Sequence, residues 1–192
     1  MTRLFLVRHG ETEWSRDGRH TSVTDLPLTE HGREQALQLY GRLDPADFGL
    51  VLSSPRHRAQ ITAELAGFVG DHAPQVDDDL VEWAYGDYEG LTSAQIHESA
   101  PGWTVFTQPT PGGESAEQVR TRLTRVIDRV HASGAEQAIV FSHGHALRSL
   151  ALCWLGLDLE LGDRFPLDTS TVSILGESKG RGSLDQWNAP PG

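Results

Sequence analysis

Leu4-Phe5-Leu6-Val7-Arg8-His9-Gly10-Glu11-Thr12 joins four consecutive apolar residues to a polar turn built from arginine, histidine and glycine. An apolar run without alternation fits a strand buried on both faces, the kind found inside a parallel sheet. Two further runs share this character, Leu50-Val51-Leu52 and Ala138-Ile139-Val140-Phe141. Thr171-Val172-Ser173-Ile174-Leu175 alternates instead, which suits a later strand with one more polar side. Ser183 to Trp187 can pair with it as an edge.

Amphipathic stretches with legible starts separate these strands. Thr29 precedes a helix expected over Glu30 to Leu43, with Ala36, Leu37, Tyr40 and Leu43 on one stripe. Ser54-Pro55 reads as an N-cap followed by proline at the first helical position, opening a helix to about Ala66. Thr92 with Gln95, and Ser115 with Gln118, have capping-box spacing. The first opens a short helix that stops before Pro101; the second opens a helix whose face is Val119, Leu123, Val126, Ile127 and Val130. A last helix is expected from Gly144 to Leu155. Short apolar strands alternating with amphipathic helices define an α/β fold.

The chain has 192 residues, enough for one compact domain, expected over residues 1–187 with a frayed tail at 188–192. Lys and Arg total 16 against 27 Asp and Glu, a net charge of −11. That balance argues against nucleic acid and an anionic membrane as partners, since both want a basic face. It leaves room for a small anionic ligand held by a few arginines. The single cysteine, Cys153, excludes an intramolecular disulfide and reads as a small buried thiol. No run approaches the ~18 apolar residues of a membrane span, and Leu4–Val7 is too short for a signal-peptide core, so a cytoplasmic location is expected.

The chemistry sits where strands end. The first strand ends in Arg8-His9-Gly10, the second in Ser53-Ser54-Pro55-Arg56-His57-Arg58, and the third in Ser142-His143-Gly144-His145. Ligands of open α/β sheets lie beyond the carboxyl ends of the strands. Arg58 falls on the first turn of its helix and Gly144 opens another, so two helix N-termini join the guanidinium forks and imidazoles. That combination favours a phosphate over a carboxylate.

These residues resemble the histidine phosphatase superfamily, which includes phosphoglycerate mutase. The resemblance continues in order through Asp25-Leu26-Pro27-Leu28-Thr29, Gly32, Gln35-Ala36, Ser53-Ser54-Pro55, Arg58-Ala59, Glu82, Gly86, Glu89-Gly90-Leu91, Gly113-Glu114-Ser115 and Ser142-His143-Gly144. It implies a three-layer sandwich, with a central, mostly parallel sheet, helices on both faces and a small helical lid. It also implies a phosphohistidine mechanism without metal or other cofactor. His9 is carried over as the nucleophile, and Arg8, Arg58 and His143 as the groups that hold the phosphoryl oxygens. Glu82 is carried over as the acid that protonates the leaving alcohol and then as the base that activates water. That double task asks Trp83 and Tyr85 to shield it from solvent.

Departures from the family pattern shape the rest of the reading. Ser15 stands where many members carry a phosphate-holding Asn; Thr21 and Ser22 belong to a loop that lacks a frequent glycine. His145 replaces a common second glycine. Together with Gly144, Trp83 and Tyr85, these complete the expected substrate-binding set. The His143-Gly144-His145 form resembles bacterial acid phosphatases and fungal sugar-bisphosphate phosphatases, which implies a small sugar phosphate or bisphosphate as substrate.

Two alternatives stand beside a phosphomonoesterase. A phosphoglycerate mutase typically carries an Asn-Lys pair after Gly-Leu, whereas Gly90-Leu91 is followed here by Thr92-Ser93, and Lys179 is the sole lysine. A non-catalytic phosphate-binding module predicts loss of at least one of Arg8, His9, Arg58, Glu82 or His143, and all five are present. Glu89 reads as a loop brace and Glu114 as a helix-dipole partner. The remaining histidines, His20 among them, read as surface residues. The edge strand leaves a homodimer open.

Overall fold

The computed structural model describes residues 2–191. Its six-stranded sheet has the order β3-β2-β4-β1-β5-β6, with β1 at Arg3–Arg8, β2 at Leu50–Ser53, β3 at Gln75–Val76, β4 at Gln137–Ser142, β5 at Val172–Ser178 and β6 at Arg181–Ala189. The pairs β1–β4, β4–β2 and β2–β3 are parallel; β1–β5 and β5–β6 are antiparallel. The expected mostly parallel sheet is therefore present, with an antiparallel hairpin added at one side.

The unbroken apolar runs are buried on both faces because they lie centrally. Leu4 and Leu6 of β1, with Ala138 and Val140 of β4, join a core that includes Val119, Leu123, Leu147 and Leu150. Those four belong to helices α5 (Ala116–Ala132) and α6 (Gly144–Leu155). On the opposite face Phe5, Val7, Ile139 and Phe141 pack with Leu39, Ala63 and Phe68, beneath α2 (Glu30–Leu37) and α3 (His57–Leu65). Helices on both faces make the three layers. A short α1 (Glu13–Arg16) follows the first strand, and α4 (Ser93–Ser99) belongs to the lid.

Both capping boxes form as read, Thr92 with Gln95 and Ser115 with Gln118. The start of α3 differs. It begins at His57, two residues beyond the expected Pro55, and no local side chain caps it. Asp25 does so through space, its carboxylate accepting from the His57 N–H at 3.0 and 3.1 Å. Ser54 Oγ accepts from the Arg56 N–H at 3.3 Å, just before the helix, and also meets a side chain from another element. Helix α2 also ends early. The chain turns at Gln38, Leu39 takes the core position, and Leu37 and Tyr40 are left exposed at 51% and 69%. Strand β6 runs through Ala189, two residues into the stretch expected to fray. Asn188 pins it by donating to the Asp168 carboxylate and to Ser173 Oγ and by accepting from the Asp168 N–H. Gly192 lies outside the described residues.

The loop after β1 is clamped on two sides. A Cβ at Gly10 would stand 2.3 Å from the Gly32 carbonyl oxygen, and one at Gly32 would stand 2.1 Å from that of Glu11. Only two glycines let α2 approach the loop after β1 this closely. From the other side Thr62 Oγ1 on α3 accepts from the Gly10 N–H at 3.0 Å and donates to the Arg58 carbonyl at 2.7 Å.

Candidate active site

Parallel register sets the ends of β1 and β4 side by side, Arg8 opposite Ser142, and Ser53 of β2 opposite Phe141. His9 and His143 therefore meet just beyond the sheet, their ring centroids 5.2 Å apart. His9 is 5% exposed. Its Nδ1 lies 2.7 Å from the Gly10 carbonyl. A carbonyl oxygen only accepts, so Nδ1 carries the proton and Nε2 keeps its lone pair. Burial, then the positive charges of Arg58 and Arg8, hold the imidazole well below the usual histidine range. It is neutral at pH 7, the state a nucleophile needs.

Three buried nitrogens around His9 have no protein partner: Arg8 Nε, Arg58 Nε and His143 Nδ1. Each of these side chains is held by its other atoms. Arg8 donates to the Leu167 carbonyl. Fully buried Arg58 donates to the carbonyls of Thr24 (2.9 Å) and Ser22 (3.2 Å). His143 Nε2 is 2.8 Å from Ser54 Oγ, which also accepts from the Arg56 N–H. Buried polar atoms in folded proteins nearly always find partners, so three orphans in one place mark a polar ligand. Burial also pushes His143 well below its ordinary value.

Glu82 lies at the N-terminus of α6, 5% exposed. Its Oε1 accepts from the N–H groups of Trp83 (2.8 Å) and Ala146 (2.7 Å); Oε2 accepts from that of His145 (3.0 Å). Two bonds occupy Oε1 while Oε2 retains one free position, so a proton carried by this group resides on Oε2. Tyr85 and His145 share a 2.5 Å hydrogen bond beside it. Burial, and then the charge of Glu82, hold the Tyr85 phenol well above its ordinary value, so it stays protonated.

The turn bearing Glu82 is gripped by an arginine row on α5. Arg122 binds both oxygens of Glu114 at 2.8 and 3.0 Å and donates to the carbonyls of Asp79 and Val81 at 2.7 and 2.8 Å. Glu114 in turn accepts from the Ala84 N–H, and its carbonyl accepts from the Trp83 indole. Arg125 and Arg129 hold Asp79, and Arg129 also holds Asp77, at the surface. Glu114, read from sequence as a helix-dipole partner, thus also braces the turn that carries Glu82. Arg122→Ala strands the Glu114 carboxylate and is expected to cost about 3–5 kcal/mol of stability, measured by urea unfolding. Arg125→Ala, at an exposed pair, is expected to leave the unfolding transition essentially where it is.

A cavity of about 160 Å³ is lined by Arg8, His9, Glu82, Tyr85, Gly144, His145 and Arg148 together with the turn from Gly18 to Thr21, whereas Arg58 and His143 do not line it. Cavities that enclose a drug-sized ligand run to ~300–1,000 Å³, so this one has room for one end of a small ligand and not for all of a larger one. Ser15 also lines it, but its hydroxyl is engaged in the α1 capping box with Thr12. Thr21 lines it with its hydroxyl turned to the Arg19 carbonyl. Ser22 is placed behind the wall: Glu89 accepts from its N–H and hydroxyl, bracing the loop as expected. Trp83 packs in the core, edge-on to Phe106 and away from the phosphoryl cavity. His20 departs from its expected surface position. It belongs to the cavity wall and packs against Tyr85, His145 and Trp103, and burial lowers it to about 4. Arg148 was not singled out by sequence, although it is the only ionised side chain in the apolar helix α6.

A doubly covered sheet whose strand ends gather two imidazoles, two buried guanidinium groups and a carboxylate defines a phosphoryl-handling protein. The chain belongs to the histidine phosphatase superfamily (branch 1), whose profile matches residues 4–190. It is 43% identical over 182 residues to an acid phosphatase of Mycobacterium tuberculosis, covering 93% of this chain and 88% of that one. It is 37% identical over 187 residues to the sedoheptulose 1,7-bisphosphatase of Saccharomyces cerevisiae, covering 82% and 69%. The solved structure of an open-reading-frame product from Mycobacterium tuberculosis superposes with a TM-score of 0.92 at 38% identity, over 100% of this chain and 99% of that one.

Proposed function

We propose that the chain is a phosphomonoesterase that hydrolyses small phosphorylated metabolites, sugar phosphates or bisphosphates, through a phosphohistidine on His9. The observation that carries this is the trio of orphaned nitrogens on Arg8, Arg58 and His143 around a neutral His9. His9 Nε2 donates its lone pair to phosphorus while the ester P–O bond breaks, and Glu82 Oε2 passes its proton to the departing alkoxide. Arg8, Arg58 and His143 take up charge on the three phosphoryl oxygens. In the second half, the Glu82 carboxylate accepts a proton from water whose oxygen attacks phosphorus. The P–N bond breaks, its electron pair returns to Nε2, and inorganic phosphate leaves with Glu82 reprotonated.

Among the described residues no helix is long and apolar enough to cross a membrane. A net charge of −11 disfavours polyanions and supports a small substrate, for which we propose the cytoplasm as the compartment. The test is phosphate release at pH 5–8, with a chelator present, from sugar phosphates, sugar bisphosphates, 3-phosphoglycerate and a phosphopeptide. The expected result is metal-independent release with a preference among the small substrates. Release only after metal addition, or transfer between phosphoglycerates without hydrolysis, would contradict the proposal.

A further inference from the structure

We infer that Asn188, in the last strand, is a positioning residue for phosphoryl transfer: it locks the loop 167–170, whose Leu167 carbonyl sets the direction of the Arg8 guanidinium. This rests on the phosphomonoesterase reading, in which Arg8 holds a phosphoryl oxygen. Among the described residues the Arg8 side chain has one hydrogen-bond partner, the Leu167 carbonyl, which accepts from Nη1, and no ion-pair partner. The start of α6 passes against the guanidinium, since a Cβ at Gly144 would stand 3.4 Å from both Cζ and Nε. With Nη1 tied and that side covered, the place of a single carbonyl decides where the orphaned Nε points.

That carbonyl is held from several directions. Asn188 clasps the residue next to it: Oδ1 accepts from the Asp168 N–H at 2.7 Å, and Nδ2 donates to the Asp168 carboxylate at 2.9 Å. The Asn188 N–H donates to Ser173 Oγ at 2.9 Å, which ties the clasp to β5. Just before the loop, the Trp187 indole donates to the Pro166 carbonyl at 2.6 Å. Thr169 Oγ1 donates to Gln35 Oε1 at 2.9 Å, and the same oxygen accepts from the Glu11 N–H at 3.0 Å. The Ser170 N–H donates to the Arg8 carbonyl at 3.0 Å. Arg8 therefore grips this loop twice, by its backbone and by its guanidinium.

The backbone here is unfavourable by itself. Among the described residues three that are not glycine have positive φ: Ser170 at 56°, Lys179 at 53° and Asn188 at 53°. Lys179 turns the chain between β5 and β6; the other two belong to this clasp. Asparagine is among the residues that enter the left-handed region most readily, but Ser170 is fully buried there with its hydroxyl unpartnered. Such conformations persist where the surroundings over-determine them, and they gather at functional sites. What they secure in this place is the Ser170 N–H on the Arg8 carbonyl and the Asn188 amide on Asp168. Displacing a phosphate-holding group by about 1 Å can cost up to ~10²-fold in rate, so a clasp outside the cavity reaches the chemistry through Arg8.

The test is a double-mutant cycle on an activated aryl phosphate, with the parent protein, Asn188→Gly, Arg8→Ala and the combined variant. Unfolding curves establish that each is folded at the assay temperature. Glycine keeps the left-handed backbone and removes only the clasp. Asn188→Gly is expected to lower kcat/KM about tenfold and to weaken inorganic phosphate binding, measured by calorimetry, by a similar factor. In the Arg8→Ala background it is expected to change kcat/KM by less than about twofold, because the group it positions is gone. A role in stability alone gives the same loss in both backgrounds. Equal losses, or an Asn188→Gly protein within about twofold of the parent, overturn the inference. If Asn188→Gly does not fold, Asn188→Asp takes its place under the same criteria; it keeps the bond from the Asp168 N–H and loses the one to the carboxylate. A parent that binds phosphate but hydrolyses no phosphomonoester overturns the phosphomonoesterase reading, while the cycle read on phosphate affinity still decides the role of Asn188. A parent that does neither overturns both.

Discussion

His9→Ala is expected to lower kcat by about 10³–10⁶-fold on every phosphomonoester the parent hydrolyses, leaving the unfolding transition nearly in place. The imidazole makes one hydrogen bond, to the adjacent Gly10 carbonyl. The loop is held independently by Thr62 on α3 and by the close approach of Gly10 to Gly32. Removing the ring therefore deletes the nucleophile without releasing its scaffold. Stability should move the other way at acid pH. His9 titrates well below its ordinary 6.5 in the folded protein, so the unfolded chain takes up the proton first. That contribution is fully present above pH 6.5 and is lost as pH falls below it. His9→Ala abolishes this part of the acid destabilisation, which urea unfolding at pH 5 and pH 7.5 reads directly. Retained turnover would remove His9 from the chemistry.

The second large effect belongs to Glu82, and it depends on the leaving group. General acid catalysis contributes about 10²–10⁴-fold, and only where the departing alkoxide needs a proton. Glu82→Gln is expected to reduce kcat/KM by that amount on a sugar phosphate and by less than about tenfold on an activated aryl phosphate. The second-order constant is the one to compare, because it reports steps up to release of the alcohol and excludes hydrolysis of the phosphoenzyme. A glutamine amide cannot accept all three N–H groups that Trp83, His145 and Ala146 now direct at the carboxylate. Some stability is therefore lost as well, and an unfolding curve separates that loss from the catalytic one. Equal losses on both substrates would transfer the proton to another group.

The parts of this structure that sequence showed well are those decided locally. Unbroken apolar runs became the central strands because both faces are covered, and the two capping boxes formed because both partners lie within one turn. The start of α3 was misread because its cap, Asp25, comes from another loop 32 residues away. Leu37 and Tyr40 fitted a helical stripe but fell beyond the point where the chain turns. In the site, the gathering of His9, Arg8, Arg58 and His143 was legible because each lies at or shortly beyond the end of β1, β2 or β4, neighbours in parallel register, while the roles proposed for them come from the family resemblance. Ser15 and Ser22 offered the right hydroxyls, but Thr12 and Glu89 compete for them, and that competition is settled by tertiary structure. His20 and Arg148 were missed for a related reason. One sits in a loop folded back over the strand ends, and the other is a lone charge in an apolar helix. That lone charge was the available signal.

The proposed mechanism requires a covalent phosphoryl-enzyme, and mass spectrometry after rapid quenching in alkaline denaturant detects it directly. The parent protein mixed with an activated aryl phosphate is expected to gain one phosphoryl group within the first turnover. That group maps to the His9 peptide, survives alkali and is lost in mild acid. It accumulates further in Glu82→Gln, where the base that activates water is gone, and it is absent from His9→Ala. A phosphoryl group on another residue, or steady phosphate release with no modified protein at any quench time, would contradict the account.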